Sequence, residues 1–290
     1  MRVLVTGARG MLGSDLCAEL RLAGHEPIES DVVAAPLRLD VTDLQAVRAA
    51  MSETAPEVVI HCAAYTQVDR AEQEPDAAYR LNALGSWCVA SACAEAGVPV
   101  CAISTDFVFD GRAGEPYDEY AVPAPVSVYG ASKLAGEECV RRACARHWIV
   151  RTSWLFGVHG LCFPATILRA AEQGRPLRVV ADQAGTPTHT VDLARALIRI
   201  VARPLWGTYH VANRGIASWY DLAVEAVSLA GMGHIAIDPI TTGDWPTPAR
   251  RPAFSPLATR ALDMLGDPAP RHWREALADY IARRATETSR

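Results

Sequence analysis

The chain has 290 residues, half of them hydrophobic and about a fifth charged, the make-up of a soluble globular protein with a sizeable core. A formal net charge of -5 argues against a nucleic-acid binder, which shows a basic face, and leaves room for an anionic small substrate in a locally basic pocket. The first residues read as a strand entering a glycine turn, not as a secretory signal, and no apolar run is long enough to span a bilayer, so a cytoplasmic protein with no membrane partner is expected. Eight cysteines without a C-x-x-C pair read as buried free thiols, and eight histidines without H-E-x-x-H spacing predict no protein-bound catalytic metal.

In chain order, short apolar runs alternate with helical patterns. Val3–Val5 is a strand, and Met11–Leu22 carries apolar residues at helical spacing. Pro27 and Ile28 precede Asp31 in a second strand, and Val41–Met51 reads as a helix capped by Thr42. Val58–Ile60 is a buried strand, Asp76–Ala96 a long alanine-rich helix, Val98–Ile103 a strand, Ser127–Arg146 a helix and Trp148–Val150 a strand. Such alternation implies right-handed crossovers and a mostly parallel sheet. After Trp154 prolines become frequent, and helices are expected near 188–202, 217–230 and 271–285. The predicted fold class is α/β: a doubly wound parallel sheet of the Rossmann kind with a smaller α/β substrate-binding lobe. Residues 1–153 form the dinucleotide-binding domain, with a segment near 184–205 returning to it, and 154–290 form mainly the substrate lobe.

The strand Val3–Val5 runs into Thr6-Gly7-Ala8-Arg9-Gly10-Met11-Leu12-Gly13 and then a helix. Gly7 permits a tight turn, Gly10 lets backbone approach a pyrophosphate, and Gly13 lets helix and strand pack closely. Unpaired N–H groups and the helix dipole favour phosphate there, so a nicotinamide dinucleotide, NADH or NADPH, is the expected cofactor. Asp31, after the second strand, suits the adenosine ribose hydroxyls and repels a 2′-phosphate, whereas Arg9 would attract one; the preference stays open. Asp40 could bond the adenine amine or serve as a turn residue, and Val41 follows it.

Tyr129 and Lys133 stand four apart on a predicted helix, which puts both side chains on one face. Reducing a ketone requires a hydride and a proton, and an ammonium near a phenol lowers its pKa and suits it to general acid work. Ser104-Thr105-Asp106 follows the strand Val98–Ile103, where a hydroxyl could hold a substrate carbonyl.

The motifs Thr6–Gly13, His61-Cys62-Ala63-Ala64-Tyr65-Thr66-Gln67-Val68-Asp69, Leu81-Asn82-Ala83, Ser104–Phe109, Val128–Glu137 and Arg151-Thr152-Ser153-Trp154 occur in one order. With Asp182–Thr188 and Pro246–Pro252, they make the chain resemble, over nearly its whole length, the dTDP-4-dehydrorhamnose reductase family of extended short-chain dehydrogenases/reductases. That resemblance implies reduction of the 4-keto group of dTDP-4-dehydro-L-rhamnose to dTDP-L-rhamnose, on a monomer or homodimer. It implies a Thr105/Tyr129/Lys133 triad with Lys133 holding the nicotinamide ribose, and Ala63, Ala64 and Tyr65 lining the cofactor groove. Asn82 supports the site, Val68, Asp69, Ser104, Asp106 and Trp154 face the sugar, and Arg250 lies near the nucleotide end of the substrate. Two positions depart from the family: Phe107 stands where a tyrosine is frequent, and the stretch Gly160–Pro164 lacks an asparagine ahead of Phe163. Both bear on the sugar and leave open another dTDP-4-keto-6-deoxy-sugar of secondary metabolism. A non-catalytic subunit like the β subunit of methionine adenosyltransferase is a further alternative, against which the intact triad speaks.

Overall fold

The computed structural model describes residues 1–268 and 270–288. A seven-stranded sheet organises the chain. Its strands are β1 (Arg2–Thr6), β2 (Glu26–Asp31), β3 (Leu37–Arg38), β4 (Val58–His61), β5 (Val100–Thr105), β6 (His147–Thr152) and a late strand, Gly207–His210. The spatial order is Gly207–His210, β6, β5, β4, β1, β2, β3, and every pairing is parallel. The chain moves outward from β1 through β2 to β3, then returns to the other side of β1 as β4. This reversal opens a crevice above the carboxyl ends of β1 and β4, where open α/β sheets bind ligands.

Continuous apolar runs fill the central strands because helices cover both faces. On one face, α1 (Met11–Leu22) and the helix Thr190–Val201 bury Leu12, Leu16, Leu20, Leu193 and Leu197 against Val3, Val5 and Ile60. On the other, α2 (Leu44–Thr54) and two further helices described below bury Val47, Val89, Cys93 and Val140 against Leu4, Val59 and Ile149. The late helix and strand, Thr190–Val201 and Gly207–His210, thus belong to the sheet assembly. The remaining late segments pack around Phe156, Leu168, Leu222, Trp273 and Tyr280. Among the described residues no helix is long and apolar enough to cross a membrane.

Two local expectations are corrected. The second helix starts at Leu44, not Val41, and its cap is Asp43, whose carboxylate accepts from the Gln45 and Ala46 N–H groups. Thr42 instead donates its N–H and hydroxyl to Asp40. The helix expected over 76–96 is three pieces: after α3 (Val68–Ala71) come α4 (Pro75–Tyr79), a π-helical stretch Arg80–Gly85, and α5 (Ser86–Ala96). α6 (Val128–Ala143) crosses this stretch so closely that a Cβ on Gly136 would overlap the Asn82 carbonyl. The π-helical stretch contains Asn82, whose amide holds both the N–H and the carbonyl of Tyr65 and donates to the Ser132 hydroxyl. A π-segment at this position is a frequent mark of a functional site.

Candidate active site

A cleft of about 860 Å³ lies over the carboxyl ends of β1, β4, β5 and β6, a volume within the usual range for small-molecule sites. Its first wall is backbone. Gly7 has φ +67°, and a Cβ there would stand 2.7 Å from the Ala63 nitrogen. A Cβ on Gly13 would overlap the Gly7 carbonyl, so α1 abuts the turn only because both positions are glycine. Gly10 caps α1 and bears no side chain over the first turn. Gly7, Arg9, Gly10, Met11, Leu12, Gly13, Asp31, Val41, Ala63 and Ala64 all line this wall. Asp31 accepts from the Arg9 N–H at 3.0 Å, while the Arg9 guanidinium turns to Glu29 (3.2 Å) and to the Ala34 carbonyl (2.9 Å). Asp40 and Tyr65 do not line the cleft: Asp40 is occupied by Thr42, and the Tyr65 hydroxyl donates to Glu74 at 3.0 Å.

Thr105, Tyr129 and Lys133 meet on the floor. Ser127 caps α6 by accepting from the Gly130 N–H, and Gly130 packs directly on the Phe107 carbonyl, so the helix starts against the end of β5. Tyr129 lies edge-on to Phe107, 5.5 Å between centroids. Burial pushes the phenol up to about 12, against a lowering hydrogen bond from Thr105 and with the Asp106 carboxylate adding to the rise. Lys133 donates to the Ile103 carbonyl at 2.7 Å, and burial draws its ammonium down to about 8, with Glu137 opposing. In this geometry the Lys133 ammonium is directed at a backbone carbonyl, and desolvation dominates the phenol.

Thr105 donates to Asp106 (3.0 Å) and accepts from the Phe107 N–H (3.2 Å). Asp106 is buried and also accepts from Ser255 at 2.5 Å; desolvation raises its carboxyl to about 6 despite these bonds. Ser104 donates to Glu137, which is clamped by the buried Arg151 through two hydrogen bonds and fixes β5 to α6 beneath the floor. The buried Thr152 hydroxyl lines the same floor and has no hydrogen-bond partner among the described residues. A polar group hidden without a partner asks for one from outside the chain. Together with the glycine cradle, it fits a nicotinamide dinucleotide.

The facing wall is made of side chains from loops. Trp154 has φ +47° and stacks on Trp219 at 3.5 Å and 4°, with Phe163 tilted against Trp219. Gly185 makes room for that indole: a Cβ there would fall within 2.6 Å of Trp154 Nε1. Val68, Trp154, Trp219 and Arg251 line the wall. Arg250, singled out in the sequence, is exposed and lies outside the lining, whereas its neighbour Arg251 lines the cleft. Asp69 does not face the cleft as a free carboxylate. Arg251 holds it through two bonds of 2.7 and 2.9 Å, and this pairing keeps the Asp69 carboxyl below its usual range. Sequence reasoning missed Trp219, Arg251, Thr152 and His159, a loop residue that also lines the cleft.

A glycine-cradled dinucleotide site beside a Tyr-x-x-x-Lys helix and a strand-end threonine defines an oxidoreductase of the extended short-chain type. The comparisons agree. Residues 1–286 match the family model described as RmlD substrate binding domain. The chain is 41% identical to the Bacillus subtilis spore coat polysaccharide biosynthesis protein SpsK, over 98% of each. It is 41% identical to a Streptomyces griseus dTDP-4-dehydrorhamnose reductase over 96% of this chain and 92% of that one. A Bacillus anthracis dTDP-4-dehydrorhamnose reductase solved with NADP superposes with a TM-score of 0.93 at 39% identity, over 97% of this chain and 99% of that one. The chain belongs to the dTDP-4-dehydrorhamnose reductase family.

Proposed function

We propose that the protein reduces the 4-keto group of a nucleotide-linked 6-deoxy-sugar, dTDP-4-dehydro-L-rhamnose, to give dTDP-L-rhamnose. The observation that carries this reading is the convergence of Thr105, Tyr129 and Lys133 on one cleft whose other end is the glycine cradle. The reduced nicotinamide, when bound in the cradle, supplies the hydride that C4 receives. Tyr129 supplies the proton: its Oη–H bond breaks as the carbonyl oxygen becomes a hydroxyl. A phenol held near 12 is fully protonated at neutral pH and is a donor at the start of the reaction. As the phenolate forms, the Lys133 ammonium, released from the Ile103 carbonyl to the nicotinamide ribose and the phenolate, stabilises it. The Thr105 hydroxyl turns from Asp106 to the substrate oxygen and fixes its direction.

The sugar lies between the floor and the Trp154/Trp219 wall, with Val68, Ser104 and Asp106 around it. The diphosphate lies toward Arg251, a planar cation suited to phosphate. Residues 1–153 with the segments 190–201 and 207–210 carry the cofactor, and the rest of 154–290 carries mainly the sugar. Both small molecules would be met in the cytoplasm. Phe107, which leaves the floor without a hydroxyl beside Tyr129, favours as second reading a different dTDP-4-keto-6-deoxy-sugar.

A coupled assay decides. dTDP-glucose is supplied with its 4,6-dehydratase and 3,5-epimerase, and NADH and NADPH oxidation are followed separately. Oxidation that requires both upstream enzymes supports the dehydrorhamnose reading, and oxidation without the epimerase supports the second. Tyr129→Phe should lower kcat by roughly 10²–10⁴ with dinucleotide Kd unchanged; a variant that keeps its turnover refutes the proton role. Tight dinucleotide binding with no oxidation would mean a non-catalytic subunit.

A further inference from the structure

The segment Gly157–Cys162, which links the strand pair of Leu155–Phe156 to the helix Phe163–Glu172, lies across the first turn of α1. A Cβ on Gly160 would stand 3.3 Å from Met11 Cβ, and one on Gly157 would stand 3.2 Å from Met11 Cγ and from Asp15 Oδ2. His159 projects from this segment into the cleft lining, with its Nε2 3.6 Å from Asp15 Oδ1. Asp15 is buried one turn inside α1, and its other oxygen accepts from the Thr190 hydroxyl. His159 Nδ1 has no hydrogen-bond partner among the described residues.

The basic side chains of the lining are Arg9, Lys133, His159 and Arg251. Arg9 turns to Glu29 and the Ala34 carbonyl, Lys133 donates to the Ile103 carbonyl on the floor, and Arg251 belongs to the loop wall assigned above to the nucleotide sugar. The imidazole lies beside the α1 N-terminus and can donate to a phosphate there. A carboxylate behind an imidazole fixes its orientation and tautomer, leaving the second nitrogen toward the cleft.

We propose that His159 is a pyrophosphate-binding residue of the dinucleotide site, oriented from behind by Asp15. The inference rests on the cofactor reading above. His159 supplements the N–H groups of the glycine turn with a side-chain donor carried on the opposite wall, so the segment 157–162 closes over the phosphates.

Binding is measured by calorimetry on the full chain with the tighter binder of NADH and NADPH, with ADP-ribose, which carries the pyrophosphate, and with adenosine, which lacks it. His159→Gln should weaken the dinucleotide and ADP-ribose roughly tenfold, the loss of one charge-assisted hydrogen bond at a half-exposed site, and leave adenosine unchanged. His159→Arg should restore most of the loss. Asp15→Asn should weaken ADP-ribose in wild type and have little further effect in the His159→Gln background. Unchanged ADP-ribose binding in His159→Gln overturns the proposal, as does an equal loss for adenosine, which would mean that the loop only shapes the pocket. A wild-type chain that binds neither dinucleotide would instead remove the cofactor reading itself.

Discussion

On the wall made by β1, α1 and β4, the cleft is backbone, and its shape is set by glycines whose missing Cβ atoms leave room for nothing but the opposing main chain. On the wall made by the later loops, the cleft is side chain: a stacked indole pair with one member at positive φ, and an arginine already paired with a carboxylate. The first wall recognises what all dinucleotides share, a pyrophosphate, and needs no adjustment to do so. The second, in the proposed reading, meets the sugar and nucleotide, and its strained Trp154 persists because Trp219 and Gly185 over-determine its position.

The contrast can be broken most severely on the backbone wall. Gly13→Ala would drive a methyl into the Gly7 carbonyl and push α1 away from the turn. The expected outcome is a loss of dinucleotide affinity on the order of 100-fold, with a lowered Tm. Calorimetry and thermal unfolding check it, and retained affinity would show that the cradle is softer than its packing implies.

On the side-chain wall the expected effect is smaller and of another kind. Arg251→Gln removes the cation and leaves Asp69 without its partner. KM for the nucleotide sugar should rise about tenfold or more, with dinucleotide Kd unchanged and kcat altered little. If kcat falls instead, Arg251 acts on the reaction centre and not on the nucleotide end.

The cofactor end offers a finer comparison. Asp31 faces the cleft, while the Arg9 guanidinium is held by Glu29 and a carbonyl. A carboxylate there opposes a 2′-phosphate, so NADH should be favoured over NADPH. Asp31→Ser should shift the ratio of the two kcat/KM values toward NADPH by roughly tenfold. A wild-type preference for NADPH would mean that Arg9 leaves Glu29 when the phosphate arrives.

The same contrast explains what the sequence made legible. Five of the seven sheet strands, α1, the glycine turn and the Tyr129/Lys133 spacing are local patterns, and the structure places them within a few residues of the reading; the short edge strands Leu37–Arg38 and Gly207–His210 lie outside it. The side-chain wall depends on contacts between distant segments. The pairing of Asp69 with Arg251, instead of a role for Arg250, turns on which residue of an irregular proline-rich loop points inward, and no periodicity records that. The π-helical stretch escaped for a similar reason, since an alanine-rich pattern does not show that Asn82 will be drawn to Tyr65 and Ser132. Thr42 and Asp43 are both good caps, and only the hydrogen bonds decide between them.

The smallest expected effect is on pH dependence, where the two walls meet at Asp106. Its carboxyl is raised by burial to about 6. Above that value it accepts from Thr105 and Ser255; below it, the added proton displaces one of these donors and disturbs the threonine that directs the substrate oxygen. Lys133, lowered to about 8, loses its ammonium above that pH, while Tyr129 at about 12 stays protonated throughout. The pH profile of kcat/KM for reduction should therefore be flat between about 6 and 8 and fall severalfold on either side. Asp106→Asn should remove the acid limb and leave the alkaline one, whereas Lys133→Arg, always charged, should do the reverse at reduced rate. The stability profile carries its own sign. The native state holds a proton on Asp106 that the unfolded chain releases near its ordinary value of 3.8, so the Asp106 contribution falls as pH rises from about 4 to 6. Asp106→Asn should flatten that part of the unfolding curve, and an unchanged slope would mean that the buried carboxyl titrates in its ordinary range.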